Sequence, residues 1–494
     1  MSRIGLSKHS SLCSIFGTDQ GTRPYSKVSL QFLLRFSRVI TIEQNYSACQ
    51  KRISQMKWQL KIGVLACLVA MLICQRSAWL NGDEVVPPNP APKWYKGNLH
   101  THTLWSDGND FPEMVAEWYR VKGYNFLALS DHNLLSRGQK WINDTLPSDR
   151  GAIAGVERYL ARFGDQWVEM REEDGRRQVR LKPLNEFRSL VEERGKFILI
   201  QAEEITDSAE GKPVHINATN IRDVINPQGG ETIRETIRNN LNAVTSQSVQ
   251  AGRPILAHLN HPNFGFAVTA EDLAHVLEER FFEVYNGHPS VGHRGDKHHP
   301  STEVLWDIAN TIRVGQLKAR PLYGIATDDS HNYFGDRDSS PGRGWVMVRA
   351  THLTPETIIQ SLEAGDFYGS SGVQLRSFNY DPDSGEFSIE IDGQPGETYV
   401  TEFIGTLVGY DATSEPVLDE NGEPIATTQR YSDDVGKILA VVKGEKPVYR
   451  LSGNELYVRA TVTSSAVADN PFEPGQKQQA WLQPVGWKQH LAKP

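Results

Sequence analysis

The sequence predicts an α/β sheet or barrel followed by a smaller antiparallel β-domain, and three observations carry that expectation. Short apolar runs of buried-strand type alternate with amphipathic helical stretches up to about residue 375, the pattern of a parallel α/β sheet. Nearly every one of those runs ends in His, Asp or Glu, and the C-terminal ends of strands are where α/β barrels place their active sites. Beyond residue 375 the texture changes to alternating apolar and polar residues rich in Val, Ile, Tyr and Thr, which suits half-buried strands.

The 494 residues are enough for two or three domains. Residues 1–80 hold eleven Lys and Arg against only Asp19 and Glu43. The remaining 414 residues carry 41 basic and 58 acidic side chains, a net charge of −17. An acidic body repels nucleic acid, and the chain has neither a basic stripe nor an aromatic stacking motif, so no nucleic-acid partner is expected. All four cysteines (Cys13, Cys49, Cys67, Cys74) lie in the first segment. Disulfides and thiolate metal sites are therefore closed to the body, and a metal there must be held by nitrogen and oxygen.

Residues 1–55 read as an upstream extension, with Met56 a candidate true start. The segment 56–80 has the layout of a signal peptide or N-terminal anchor: Lys57 and Lys61, an apolar core from Ile62 to Cys74, then a polar exit. Export to the periplasm or the extracellular space is expected, with membrane contact only through that segment if it stays uncleaved. Residues 81–93 form a stiff proline-rich linker. The predicted barrel, 94–375, has strands in FLALSDHN (126–133), FILIQAEEIT (197–206), PILAHLNHP (254–262), FFEVYNGHP (281–289) and LYGIATDDSH (322–331). Helices are predicted in 112–123, 183–195, 231–252 and 301–315, each closed by a glycine. The C-terminal β-domain, 376–494, is predicted from GEFSIEIDG, TYVTEFIGTLVGYDA, KILAVVKG and ELYVRATVTSS.

GNLHTHTLWSDG, residues 97–108, sets two histidines one residue apart at the end of an apolar run. Side chains at i and i+2 of a strand share a face, so His100 and His102 would present two imidazoles side by side. The other strand ends supply Asp131 and His132, Glu203 and Glu204, His258 and His261, Glu283, and Asp328, Asp329 and His331. Imidazole and carboxylate together suit Mn, Fe or Zn, whereas Mg or Ca would call for oxygen alone.

The ordered series HTHTLWSDG, SDHN, EEIT, VHI, NHP and DSH resembles the PHP family, named for its polymerase and histidinol phosphatase members. The resemblance covers roughly residues 94–375 and implies a distorted TIM-like (β/α)7 barrel with a trinuclear metal site, here followed by a β-sandwich-like domain. It implies that His100, His102, Glu204 and Asp329 hold one metal, with Glu203 and Asp328 as runners-up for the two carboxylates. Glu204 would bridge to a second metal held by His215 and a histidine of HLNHP, His261 being chosen over His258. Asp107, His132 and His331 resemble the ligands of a third.

The activity so implied is hydrolysis of a small anionic ester, most readily a phosphate ester attacked by a metal-bridging hydroxide. Divalent metals, three in number and Mn, Zn or Fe in kind, are the expected cofactors. His258 and His288 are the candidates for protonating the leaving group, and Glu283 for chemistry or ligand orientation. In the basic loop GHRGDKHHP, Arg294 and Lys297, with His298 and His299 beside them, are candidates for substrate capture. Tyr368 and residues 370–372 are expected near the pocket. The chain lacks the partner domains of the polymerase branch. Its NHP, EVYNG and DSHNY motifs are similar to a branch that also contains carbamate and aryl-ester hydrolases, so carboxylic or carbamic esters are the alternative substrates. A non-catalytic, metal-containing binding protein is the reading from a different class.

Overall fold

The computed structural model describes residues 89–491 apart from 153, 336 and 337. The expectations for 1–55, for the export segment 56–80 and for most of the linker fall outside the described residues. Among the described residues no helix is long and apolar enough to cross a membrane.

One 13-stranded sheet organises the chain. Its first seven strands are β1 (Lys93–Asn98), β2 (Phe126–Leu129), β3 (Ile198–Ala209), β4 (Lys212–Thr219), β5 (Leu256–Leu259), β6 (Phe281–Asn286) and β7 (Tyr323–Thr327), hydrogen-bonded in that order. β1, β2 and β3 pair in parallel, as do β5, β6 and β7. β4 runs antiparallel to both of its neighbours, a correction to the wholly parallel sheet predicted from the alternating pattern. The reason is local. β3 and β4 are joined by Glu210-Gly211, both at positive φ (54° and 75°), the two-residue turn that makes a hairpin rather than a helical crossover.

The two ends of this seven-strand run meet just past the strand termini. Thr101 bridges Ser330 in parallel, the His102 amide donates to the Ser330 carbonyl (3.1 Å) and the Asp329 amide to the His100 carbonyl (3.1 Å). Hydrogen-bonded closure is confined to this C-terminal rim, because the free edge of β1 pairs along its length with β8 (Trp345–Ala350). From β8 the same sheet continues through β9 (Phe367–Ser370), β13 (Lys477–Val485), β12 (Glu455–Val467), β10 (Tyr399–Leu407) and β11 (Lys437–Lys443). A three-stranded sheet of residues 375–381, 386–391 and 448–450 faces this part of it, and Phe387, Ile389, Phe403, Val458, Val462 and Leu482 form the shared core.

The helices begin near their predicted starts, but the second and fourth predicted end at Val191 and Thr311, short of the glycines predicted to close them. α1 (Pro112–Val121) has proline at its first position, where the missing N–H costs nothing. α2 (Leu184–Val191) is the second predicted helix. In α3 (Ile233–Ala251) the Thr232 side chain caps the Glu235 amide and Gly252 closes the helix at φ 63°. α4 (Ala270–His275) starts on a Thr269–Asp272 capping box. α5 (Thr302–Thr311) and α6 (Pro355–Ala364) are capped by Ser301 and Thr354. Ile233, Ile237 and Leu241 of α3 pack on Val214, Ile216 and Leu259 of the sheet.

Two buried charges tie these layers together. Arg459 on β12 makes a bidentate contact with Asp307 on α5 (Nε–Oδ1 2.8 Å, Nη2–Oδ2 2.6 Å). Arg313, in the π-helical turn after α5, donates to the carbonyls of Leu273, Val276 and Glu279, covering the open end of α4. Beside it, Glu279 accepts from the amides of Arg280 and Phe281, and burial pushes its carboxyl up to about 7.

Arg459→Met should destabilise the chain by about 3–5 kcal/mol in urea unfolding, because it strands a buried Asp307. The double variant Asp307→Leu with Arg459→Met should recover part of the loss. Glu279 is protonated in the folded chain up to about pH 7 but ionises near 4.5 when unfolded, so its contribution to stability falls as the pH rises through that window. Glu279→Gln should remove the decline. Its urea midpoint relative to the parent should rise between pH 4.5 and pH 7.5, by no more than roughly 3 kcal/mol in stability.

Candidate metal centre

The site lies at the C-terminal ends of β1, β2, β5, β6 and β7, with β3 and β4 contributing Glu204 and His215 from within the strands. His100 and His102 project to the same face, their rings 5.1 Å apart, as the one-residue spacing requires. The turn after them is held by Asp131, which accepts from the Thr103 amide (2.8 Å), the Thr103 hydroxyl (2.9 Å), the Ser106 amide (3.1 Å) and the Ser106 hydroxyl (2.6 Å). Gly108 explains the glycine of the motif: a Cβ there would meet the His102 carbonyl at 2.7 Å. The turn aims Asp107 back at His102 Nδ1 (3.4 Å), His132 Nε2 (3.3 Å) and His331 Nε2 (3.4 Å).

Glu204 occupies the centre. Its carboxylate is 1% exposed and faces His100 (3.5 Å), His102 (3.4 Å), His132 (2.8 Å), His215 (3.0 Å) and His261 (3.4 Å). Burial works to raise its pKa, and the imidazoles of His132, His100 and His215 outweigh this and hold it well below the usual carboxylate range. Asn260 donates to it at 2.8 Å. Strand alternation turns the neighbouring Glu203 to the opposite face, where it accepts from the Ile225 amide (2.6 Å). Asp329 and Asp328 divide in the same way. Asp329 Oδ1 stands 3.2 Å from His100 Nε2 and 3.1 Å from His102 Nε2. Asp328 is taken up by the amides of Gly342, Arg343 and Gly344 and the Tyr119 hydroxyl. Asp329 (φ 49°) and His261 (φ 22°) both sit in the left-handed region without being glycine, the kind of strain that functional sites retain.

Glu283 fixes the protonation of the cluster. It accepts from His100 Nδ1 (2.7 Å), the His261 amide (2.8 Å), the Thr327 hydroxyl (2.7 Å) and Asn286 Nδ2 (2.7 Å). With its proton on Nδ1, His100 turns a lone pair at Nε2 toward two carboxylates. The Nε2 atoms of His100 and His102 and Oε2 of Glu204 are buried without a hydrogen-bond partner among the described residues. Lone pairs that converge in this way need a cation between them, and the residues therefore fit divalent metal. The donor atoms fall into groups within 4.8 Å of one another, including His102 with Asp107, His132 and His331; His100 with His261 and Asp329; His100 with His102 and Glu204; and Glu204 with His215 and His261.

Above this floor opens a cavity of about 440 Å³ lined in part by Asp107, His132, His215, Phe264, His288 and His331. The chain is similar in structure to PHP-like metal-dependent phosphoesterases. A two-domain protein of Bacteroides vulgatus ATCC 8482, containing a predicted PHP-like metal-dependent phosphoesterase, matches over 80% of this chain and 97% of its own, at 13% identity and a TM-score of 0.34. A Bifidobacterium adolescentis ATCC 15703 protein named for metal-dependent phosphoesterase activity matches over 51% of this chain and 94% of its own, at 16% identity and a TM-score of 0.26. No family model and no curated protein sequence matches the chain.

The residues expected around the site do not all reach the cavity. His258 is fully buried, lies 3.6 Å from Glu283 and does not line the cavity. It sits within β5, one residue before the strand ends, which corrects its assignment as a leaving-group acid. His288 does line the cavity, and its Nδ1 accepts from the Ser290 amide (3.2 Å), which leaves the proton on Nε2. Arg294 and Lys297 are corrected as substrate ligands: they pair with Glu473 (3.0 Å) and Glu420 (2.8 Å) in the C-terminal region. His298 and His299 cap Asp296 through their amides, and the His299 ring stacks on Phe266. The Tyr368 hydroxyl is used by the Leu375 amide. Asn260, Asn286 and Thr206 were not singled out in the sequence, although each lies inside a quoted motif: NHP, EVYNG and EEIT.

Glu283→Gln should keep the fold and lower metal affinity by about 10- to 100-fold in a calorimetric titration. Glu203→Gln, one residue from the central carboxylate but facing away from it, should stay within about twofold of the parent.

Proposed function

We propose that the chain is an exported metal-dependent phosphoesterase that hydrolyses small phosphate esters on three divalent ions, Mn, Zn or Fe. The observation that carries the reading is the convergence of partnerless imidazole and carboxylate lone pairs at the floor of an open cavity. Divalent ions bound there supply charge neutralisation for the phosphoryl oxygens and make a water acidic enough to attack at neutral pH.

The chain's own groups would do the rest. Glu283, Asn260 and Asn286 hold His100, Glu204 and Asp329 in place, so no reorganisation is needed as charge builds up. His288 lines the cavity with its proton on Nε2 and would give that proton to the departing oxygen. Export is supported by the basic, then apolar, segment 56–80. A second reading, hydrolysis of carboxylic or carbamic esters, is favoured by one feature: no lysine or arginine is among the described residues lining the cavity.

The test offers the metal-loaded full chain a phosphomonoester, a phosphodiester, a carboxylic ester and a carbamic ester, alongside Asp329→Ala. Phosphate-ester turnover lost in the variant is expected, and turnover of the carbon esters alone would move the protein to the second reading. His288→Ala should lower kcat about 100-fold on an alkyl phosphate. On a nitrophenyl phosphate, whose leaving group needs no acid, the same variant should lose less than about tenfold.

A further inference from the structure

The mouth of the metal cavity carries a ring that the protein core does not use. Phe264 is 37% exposed and lines the cavity. Among the described residues no other phenylalanine, tyrosine or tryptophan is left exposed. Leaving about a third of the ring in water forgoes roughly 0.5–1 kcal/mol of burial, so its position beside the metal floor calls for a reason.

The ring is also held firmly. The Phe264 amide donates to the His261 carbonyl (2.8 Å), and Asn263 Nδ2 donates to the carbonyls of Gly292 (3.0 Å) and Pro300 (2.9 Å). Gly265 (φ 61°) completes the turn. The ring centroid stands 5.3 Å from that of His261 and 6.1 Å from that of His215, and buried Val291 lines the same cavity.

No lysine or arginine is among the described residues lining the cavity. Arg294 and Lys297 pair with Glu473 and Glu420, Arg343 donates to the carbonyls of Gly287 and Asp338, and Arg150 donates to that of Gly108. A second anionic group on a substrate would meet Asp107 and no lysine or arginine among the described residues lining the cavity.

Resting on the hydrolase reading of the metal centre, we propose that the substrate is an ester of an aromatic or similarly flat apolar group, seated against Phe264 and Val291 and bearing no second anionic charge. A pinned aromatic surface takes such a group at little ordering cost, while a carboxylate or second phosphate there would lose its hydration without gaining a partner.

Binding separates this inference from turnover. Phenylphosphonate, methylphosphonate and 4-carboxyphenylphosphonate would be titrated calorimetrically into the metal-loaded full chain and into Phe264→Ala, with metal content and circular dichroism as checks on the variant. Phenylphosphonate is expected to bind at least about tenfold more tightly than the other two, and Phe264→Ala to bring it down to the methyl compound. Equal affinities, an advantage that survives Phe264→Ala, tighter binding of the carboxyphenyl compound, or no binding at all would each overturn the proposal. Phenyl-selective binding without turnover of any phosphate ester would defeat the phosphoesterase reading and leave this one standing.

Discussion

A carboxylate buried among five imidazoles is the constraint on which the rest of the structure depends. Glu204 has no solvent to stabilise it, and the ring nitrogens around it present lone pairs as well as protons. Such a cluster is stable only when cations or fixed protons balance it. The surrounding structure supplies the fixed protons. Glu283 commits the Nδ1 proton of His100, Asn260 donates to Glu204, and Asn286 spans Glu283 and Asp329. What remains unbalanced, Nε2 of His100 and of His102 with Oε2 of Glu204, marks where a cation belongs.

That demand shapes the fold around the site. The ends of the seven-strand run are drawn together at the rim by hydrogen bonds from the very residues that carry the ligands, His100, Thr101 and His102 on one side and Asp329 and Ser330 on the other. Asp328 spends its whole hydrogen-bonding capacity on three consecutive amides of the following loop and on Tyr119, a packing role that leaves Asp329 to turn inward through a left-handed backbone. The C-terminal region is continuous with the site's scaffold through β8 and β9, and its acids Glu473 and Glu420 pair with Arg294 and Lys297, neither of which lines the cavity.

Much of this was legible in the chain. The i, i+2 spacing of His100 and His102 anticipated two rings on one face, as extended backbone gives, and the structure keeps that arrangement just past the end of β1. The run of His, Asp and Glu at strand ends pointed to the rim because polar side chains inside the apolar runs would be buried unpaired. The helices at 112, 233, 302 and 355 start at proline or hydroxyl caps that are readable one residue at a time. His258 was not legible as a buried residue. It stands three positions before His261 in the same short motif, and only the end point of β5 decides which of the two reaches the cavity. Arg294 and Lys297 misled for a different reason: their partners lie more than a hundred residues away, where no local pattern records them.

The sequence by itself determined the donor types, the absence of thiolate from the body and the alternation of strands and helices, because composition and periodicity are local properties. Only the tertiary structure decided which carboxylate of each adjacent pair faces the metal floor, that β4 turns back on β3, and which charged side chains are free. Those outcomes depend on strand pairing and on partners distant in sequence, and long-range contacts leave no periodic trace along the chain.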